Sequence, residues 1–205
     1  MKLAIWLLCA AAFVSAEDFS YWIEPCSAQV AQESACRAGD PELARWALHA
    51  WKQAAHSALE FPAAASEDHA RIRVYWATHR DRLYGEAHPI PVDGKQGAAI
   101  YVNPDIAQLG EEIYAAAGRD PLLREAVVYL TCLHESGHAL GLSHTGKFED
   151  IMYSFGYGGD IPEYFARYRR VLHARDDIRA HSGLSAYDAK RLLDLFRAPA
   201  GAALR

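Results

Sequence analysis

Eleven residues, 134–144, constrain the fold of this 205-residue chain more than any other stretch. His134 and His138 are four residues apart, so on an α-helix they project from nearly the same face, one turn apart. His144 follows six residues later, and a continuing helix would turn it to another face, about 9 Å along the axis. Gly141 lies between them and is the residue type that adopts positive φ at little cost. The segment therefore predicts a helix, a bend at the glycine, and three imidazoles that converge.

Three converging imidazoles suit a single metal ion. They would leave one coordination position open for water, as a catalytic zinc site requires. Glu135 is about 100° round the helix from His134, so it can reach that water without being a ligand. We predict that His134, His138 and His144 bind Zn²⁺ and that Glu135 is the catalytic base. Histidines that are merely exposed or hydrogen-bonded are the alternative, but five fixed positions within eleven residues argue against it.

The other seven histidines lack ligand spacing, and surface or loop positions are predicted for them. They are His49, His56, His69, His79, His88, His173 and His181.

The extended motif HExxHxxGxxH, followed by a methionine in a tight turn, resembles the metzincin clan of zinc endopeptidases. Met152 follows His144 by eight residues. The resemblance implies that Met152 lies beneath the zinc as a hydrophobic floor and does not ligate it. Asp-Ile-Met-Tyr at 150–153 is most similar to the matrix-metalloprotease-like (matrixin) branch. Residues 184–188 resemble the start of its last helix, where Asp188 would support the turn by hydrogen bonds; an ordinary first-turn aspartate is the alternative.

This resemblance implies an α+β fold: a metzincin-like zincin catalytic domain with a twisted mixed sheet, an active-site helix, the methionine turn and a C-terminal helix. It also implies a zinc-dependent endopeptidase that hydrolyses peptide bonds through a zinc-activated water, with Glu135 as general base. By the same analogy, residues 98–102 form the rim strand beside which a substrate adds as an antiparallel strand. Residues 154–182 are longer than this branch leads us to expect, and they are interpreted as a lid or wall beside the cleft.

Hydrophobic periodicity gives the same α+β class independently, with strands and one early helix followed by helices. Strands are predicted at 19–23, 71–76 and 98–102. Helices are predicted from Asp40, as N-cap, to about 59, from 120 to about 140, over about 162–178, and from 185. Two prolines and two glycines make 88–97 a predicted loop, in which Asp93-Gly94 is a plain turn.

The first sixteen residues are predicted to be a signal peptide. Lys2 precedes an apolar run too short for a comfortable membrane span, and small residues at 14–16 favour cleavage after Ala16. Residues 17–205 would then form a single peptidase domain that is secreted or periplasmic. In an oxidising compartment Cys26 is expected to pair with Cys36, although Cys26 as an inhibitory zinc-blocking thiolate is an alternative. Cys132 is predicted to be a buried thiol.

Composition limits the partners. Hydrophobic residues make up 51% of the chain and charged residues 23%, which suits one globular domain. The formal net charge of -5 gives no reason to expect a nucleic acid. We therefore expect a protein or peptide substrate, no membrane insertion and a monomer. A secreted zinc-binding interaction module without turnover is the main alternative function, and an exopeptidase is a third, although no residue that would capture a substrate terminus is evident.

Overall fold

A computed structural model describes residues 16–78 and 84–196. Apart from its last residue, the predicted signal peptide lies outside the described residues, as does His79. The strands are β1 (Glu17–Asp18), β2 (Tyr21–Ile23), β3 (Leu59–Glu60), β4 (Ile72–Trp76), β5 (Gly85–Val92) and β6 (Lys95–Val102). The helices are α1 (Ala28–Ser34), α2 (Asp40–Ala55), α3 (Glu111–Arg119), α4 (Pro121–Ala139), α5 (Ile161–Arg169), α6 (Asp177–Ala180) and α7 (Ala186–Phe196).

The main sheet is mixed and has the strand order β2-β4-β6-β5. β2, β4 and β6 are parallel to one another, whereas β5 is antiparallel to β6. Along β4 the side chains alternate: Ile72, Val74 and Trp76 are buried, and Arg73 and Tyr75 are half-buried. This alternation is typical of a strand with one face against the core. The predicted α+β class and the mixed sheet are confirmed.

Two long helices cover the buried face of the sheet, and they pack on each other. Trp51 of α2 is fully buried, and its indole N–H donates to the carbonyl oxygen of Leu133 in α4 over 2.9 Å. α2 begins at the predicted residue, but the predicted side-chain cap is wrong. The Asp40 carboxylate forms a buried ion pair with Arg124 of α4 and accepts from the Arg37 backbone N–H. A buried carboxylate needs a compensating charge, and Arg124 supplies it. The ion pair therefore links α2 to α4.

The predicted loop at 88–97 is wrong, because most of it forms a β-hairpin. β5 and β6 pair along their full lengths and are joined by the two-residue turn Asp93-Gly94. Both turn residues have positive φ, 49° and 74°, as a type I′ turn requires. Pro89 and Pro91 do not break the strand because it lies at the edge of the sheet, where a missing N–H costs no ladder bond.

The position expected for the strand at 98–102 is also wrong. These residues belong to β6, which pairs with β4 on one side and β5 on the other. A strand that is paired on both sides has no free backbone groups for a substrate. Among the described strands, β5 is the edge of the sheet on that side.

The remaining helices differ from the expectations in detail. The stretch predicted as one helix at 162–178 forms α5 and the short α6, and α1 and α3 were not predicted. The strand predicted at 19–23 is shorter and forms β2, while α7 begins one residue after its predicted start.

Cys26 and Cys36 form the expected disulfide, which excludes the inhibitory thiolate in this state, and Cys132 is a buried free thiol.

Candidate functional site

α4 carries the first half of the site. It begins after Asp120, close to the predicted start, and the Asp120 carboxylate accepts from the backbone N–H of Leu122 and Leu123, as is typical of an N-cap. Its C-terminal turns are largely buried, and His134 and Glu135 are 7% and 4% exposed. The site therefore lies on a rigid helix in the centre of the molecule, which keeps its side chains in fixed positions.

The chain leaves α4 at the predicted glycine. Gly141 has φ 98°, in the region that favours glycine, and the Leu142 N–H donates back to the carbonyl oxygen of Gly137 over 2.9 Å. The chain then returns to the helix and presents His144 from the solvent side. His144 is exposed, His138 is half-buried and His134 is buried, so the cluster extends from the interior to the surface.

The three imidazoles converge as the spacing predicts. The Nε2 atom of His144 is 3.2 Å from His134 Nε2 and 3.1 Å from His138 Nε2. One ligand atom from each of the three histidines lies within 4.8 Å of the others. Nitrogens bound at 2.0–2.1 Å to one tetrahedral zinc would be roughly 3.4 Å apart. The spacing fits one shared metal ion.

Backbone carbonyl groups orient two of these rings. His134 Nδ1–H donates to the Ile151 carbonyl oxygen over 2.6 Å, and His138 Nδ1–H donates to the Leu142 carbonyl oxygen over 2.7 Å. A neutral ring that donates through Nδ1 carries its lone pair on Nε2. The Nε2 lone pairs therefore face one another, an arrangement that is repulsive without a cation and is typical of metal ligands.

The ionisation of the histidines favours the same role. Burial lowers the pKa of His134 to about 3, against the opposing effect of its hydrogen bond to Ile151. Burial also lowers the pKa of His138 and of His144. Metal ligation requires neutral imidazole, and the downward shift of all three pKa values favours that form.

The methionine turn lies directly beneath the cluster. Met152 is fully buried, and its sulfur packs against the backbone of α4 at Gly137. Asp188, also fully buried, accepts from the backbone N–H of Ile151 over 2.8 Å and of Met152 over 3.4 Å. The support role that the resemblance implied for Asp188 is thus confirmed. Because the Ile151 carbonyl also holds His134, the hydrogen bonds run from α7 through the turn to the cluster.

Glu135 points away from the methionine turn, towards β5. A Cβ atom at Gly85 would lie 2.6 Å from Glu135 Oε1 and 2.7 Å from Thr131 Cγ2, so only glycine allows this approach. Burial, together with a smaller effect of Glu86, raises the pKa of Glu135 to about 8. The carboxyl group is thus held in a largely buried position between α4 and the edge strand.

Sequence reasoning missed two glycines on which this geometry depends. Gly85 gives Glu135 its space, and Gly137 lets Met152 approach the helix. A glycine inside a strand can signal close approach of another group, but the predicted loop at 88–97 leaves no strand at Gly85 in which that signal could be recognised. A glycine inside a helix costs stability, so Gly137 carried a usable signal of close packing.

The first part of the stretch 154–182 packs beside this part of the site, whereas Arg175 in its second part pairs with Glu42 of α2 and Glu125 of α4. Tyr164 and Phe165 of α5 are buried, and the Tyr164 hydroxyl donates to the Asp150 carbonyl oxygen over 3.0 Å. The Phe155 ring packs against Tyr84, with centroids 5.9 Å apart, next to the start of β5. These packed rings connect the methionine turn to the edge strand.

Comparison with known proteins supports the resemblance. The model of the matrixin family matches residues 14–158, which is more than half of the chain and includes all three histidines and Met152. No protein of curated function matches the sequence significantly. Across the two described stretches of the chain, no helix is both long and apolar enough to cross a membrane.

Proposed function

The chain belongs to the matrixin family, a family of zinc-dependent metallopeptidases, and from that premise we propose that this protein is an exported zinc endopeptidase. The observation that carries the proposal is the convergence of three ring nitrogens, from His134, His138 and His144, beside a buried carboxyl group. In this proposal the three histidines hold the zinc ion and Glu135 is the catalytic residue.

Zinc is the metal that suits this donor set. Three neutral imidazoles without a thiolate or a second carboxylate are a common catalytic zinc arrangement, and they leave a fourth position open. When bound, zinc would lower the pKa of water and polarise a carbonyl group.

Glu135 is proposed to move the proton. A divalent cation close by lowers the pKa of a carboxyl group from the value of about 8 that burial gives it. Glu135 in its anionic form would take a proton from the attacking water and pass it to the nitrogen of the leaving amine. Its position against Gly85 keeps the carboxylate between the histidine cluster and the edge strand.

The edge of β5 is the proposed docking line for the substrate. It is the edge strand of the described sheet on the side of Glu135. An extended peptide that adds to β5 as an antiparallel strand would pass the histidine cluster at the end of β5 nearest Gly85. Recognition through backbone groups suits a peptide or protein chain.

Export is proposed from the N-terminal sequence, and the Cys26–Cys36 disulfide is compatible with an extracellular protein. A zinc-binding module without turnover is the second candidate function. The buried carboxyl group next to the cluster disfavours this candidate. Its burial costs stability, and a site that only binds zinc gains nothing from it.

Replacement of Glu135 tests the proposal. We expect Glu135→Ala to bind one zinc per chain by elemental analysis and to lose cleavage of a peptide library. The matched control is Glu125→Ala, on the same helix but paired with Arg175 away from the cluster, which should cleave as the wild type does. Hydrolysis by the Glu135 variant would contradict the assignment. A zinc-loaded wild type that cleaves no peptide would favour the binding module.

A further inference from the structure

The backbone N–H and C=O groups of β5 point either towards β6 or towards the open edge of the sheet. The pairing of β5 with β6 determines which residues point which way. The Asn103 N–H donates to the Tyr84 carbonyl oxygen over 2.9 Å, so this pair exchanges hydrogen bonds across the hairpin. Hydrogen-bonded pairs alternate along an antiparallel ladder. The even-numbered residues of β5 therefore direct their N–H and C=O groups towards β6. The odd-numbered residues direct theirs outwards, to the edge.

The outward residues are Gly85, Ala87, Pro89 and Pro91. Gly85 and Ala87 each offer an N–H and a C=O. Pro89 and Pro91 offer only a C=O, since proline has no N–H. Both prolines are exposed, and their rings occupy the side from which another strand would approach. The edge therefore offers both hydrogen-bond donors and acceptors at the Gly85 end, which we call the complete end, and only acceptors at the proline end.

The complete end is the one beside the candidate active site. Gly85 lies against the Glu135 carboxyl group, whereas Pro89 is four residues further on, roughly 13 Å along an extended strand. Pairing at Gly85 and Ala87 would thus place the substrate at the catalytic carboxylate. Pairing at the prolines would involve residues remote from the bond that is cut.

We infer that β5 binds its substrate in a two-way backbone ladder only at Gly85 and Ala87, and that Pro89 and Pro91 end this ladder. This inference rests on the proposed function. For an antiparallel substrate, the residues that face the prolines lie on the N-terminal side of the cleaved bond. The enzyme is therefore specific for a short extended segment, and it gains little from substrate residues beyond the one that faces Ala87.

The same prolines give the edge a second property. An exposed edge strand invites pairing with other chains, and proline at outward positions is one way to block it. Here the block covers the part of the edge that is remote from Glu135. Access for a peptide and protection against self-association are therefore divided between the two halves of one strand.

Peptides of graded length test the inference. A nested series shares one cleaved bond and is extended one residue at a time towards the N-terminus, and kcat/KM is measured for the wild type, Pro89→Ala and Pro91→Ala. For the wild type we expect kcat/KM to stop rising once the N-terminus of the bound peptide extends beyond the residue that faces Ala87. A restored N–H at position 89 should raise kcat/KM about fivefold for peptides that reach it, the effect of one backbone hydrogen bond.

Pro91→Ala is the matched control, because it makes the same change two residues further on. Since Pro89 still ends the ladder in this variant, its length profile should match that of the wild type. A wild-type kcat/KM that continues to rise with length, a Pro89→Ala profile equal to that of the wild type, or a gain in Pro91→Ala equal to that in Pro89→Ala would overturn the inference. In a second series, extended towards the C-terminus instead, a response to the proline substitutions would overturn the antiparallel arrangement.

Binding of the same peptides to the zinc-loaded Glu135→Gln protein, measured by calorimetry, separates this inference from the proposed function. The affinities should follow the length dependence expected of kcat/KM: no further gain beyond Ala87 with the prolines present, and a further gain after Pro89→Ala. If peptides bind with this profile but the wild type cuts none, the proposed activity fails and the inference about the edge stands. A length profile that is the same with and without the prolines disproves the inference, whatever the wild type cleaves.

Discussion

At the scale of single residues, Gly137 decides how closely the methionine turn approaches the histidine cluster. A Cβ atom at this position would overlap the sulfur of Met152 and lie 2.9 Å from Trp51 Cζ2. Both neighbours are fully buried, so neither has free space to move into. The absence of a side chain at position 137, which the motif leaves unspecified, is therefore a packing requirement of this fold.

A substitution at Gly137 should reverse the usual effect of alanine in helices. Alanine is the better helix former by up to about 1 kcal/mol, but overpacking a core costs about 1–3 kcal/mol. We expect Gly137→Ala to lower the free energy of unfolding in urea and to weaken zinc binding. Gly118 is the matched control, since it lies in α3 with nothing within 4 Å of an added Cβ. Gly118→Ala should stabilise the protein slightly, and equal effects of the two changes would refute the argument.

At the scale of elements, α7 holds the methionine turn in place. Asp188 accepts from the N–H groups of Ile151, Met152 and Ser185. The Ser185 hydroxyl in turn donates to Asp150 over 2.7 Å. The last helix thus supports the site through the turn, and its Arg191 also donates to the Ser143 hydroxyl, next to His144, over 2.8 Å.

Removal of this carboxylate should destabilise both the fold and the metal site. An orphaned buried donor costs about 1–3 kcal/mol, so Asp188→Ala is expected to lose at least about 2 kcal/mol of unfolding free energy. Zinc affinity should fall with it, because the Ile151 carbonyl holds His134. Asp194→Ala removes an exposed pair with Lys190 on the same helix and should cost less than about 0.5 kcal/mol. A zinc titration that finds Asp188→Ala unaltered would contradict this account.

At the scale of the whole molecule, the histidine cluster lies where the largest parts of the fold meet. α4 packs against α2, α5 and the strands β5 and β6. The loop with His144 and the methionine turn join the helix to α7 through Met152 and Asp188. An ion bound by His134, His138 and His144 would link the core helix to a surface loop.

Metal removal should therefore lower the stability of the whole domain. A ligand that binds only the folded state adds about 4 kcal/mol when its concentration is a thousand times its Kd. We expect a chelator to lower the Tm in calorimetry and added zinc to restore it. The His144→Ala variant should unfold at a lower temperature with much less response to the chelator. A wild-type Tm that is the same with and without chelator would show that no metal stabilises the fold.

Local sequence by itself determined the metal-binding geometry of this protein. The spacing of His134, His138 and His144 and the glycine at 141 predict the convergence of the imidazoles, because one helical turn and one bend are local properties. The α+β class follows from hydrophobic periodicity, and the Cys26–Cys36 pairing follows from their short separation in a chain expected to be exported.

Only the tertiary structure decided which strand borders the cleft and what surrounds Glu135. The prolines of β5 suggested a loop because local preference cannot reveal that a strand will lie at a sheet edge. The local sequence suggests that Asp40 caps a helix. In the folded chain it pairs instead with Arg124, which is 84 residues away in sequence. Gly85 meets Glu135 only after the sheet has assembled on α4. Each of these depends on contacts between distant parts of the chain, which no local pattern encodes.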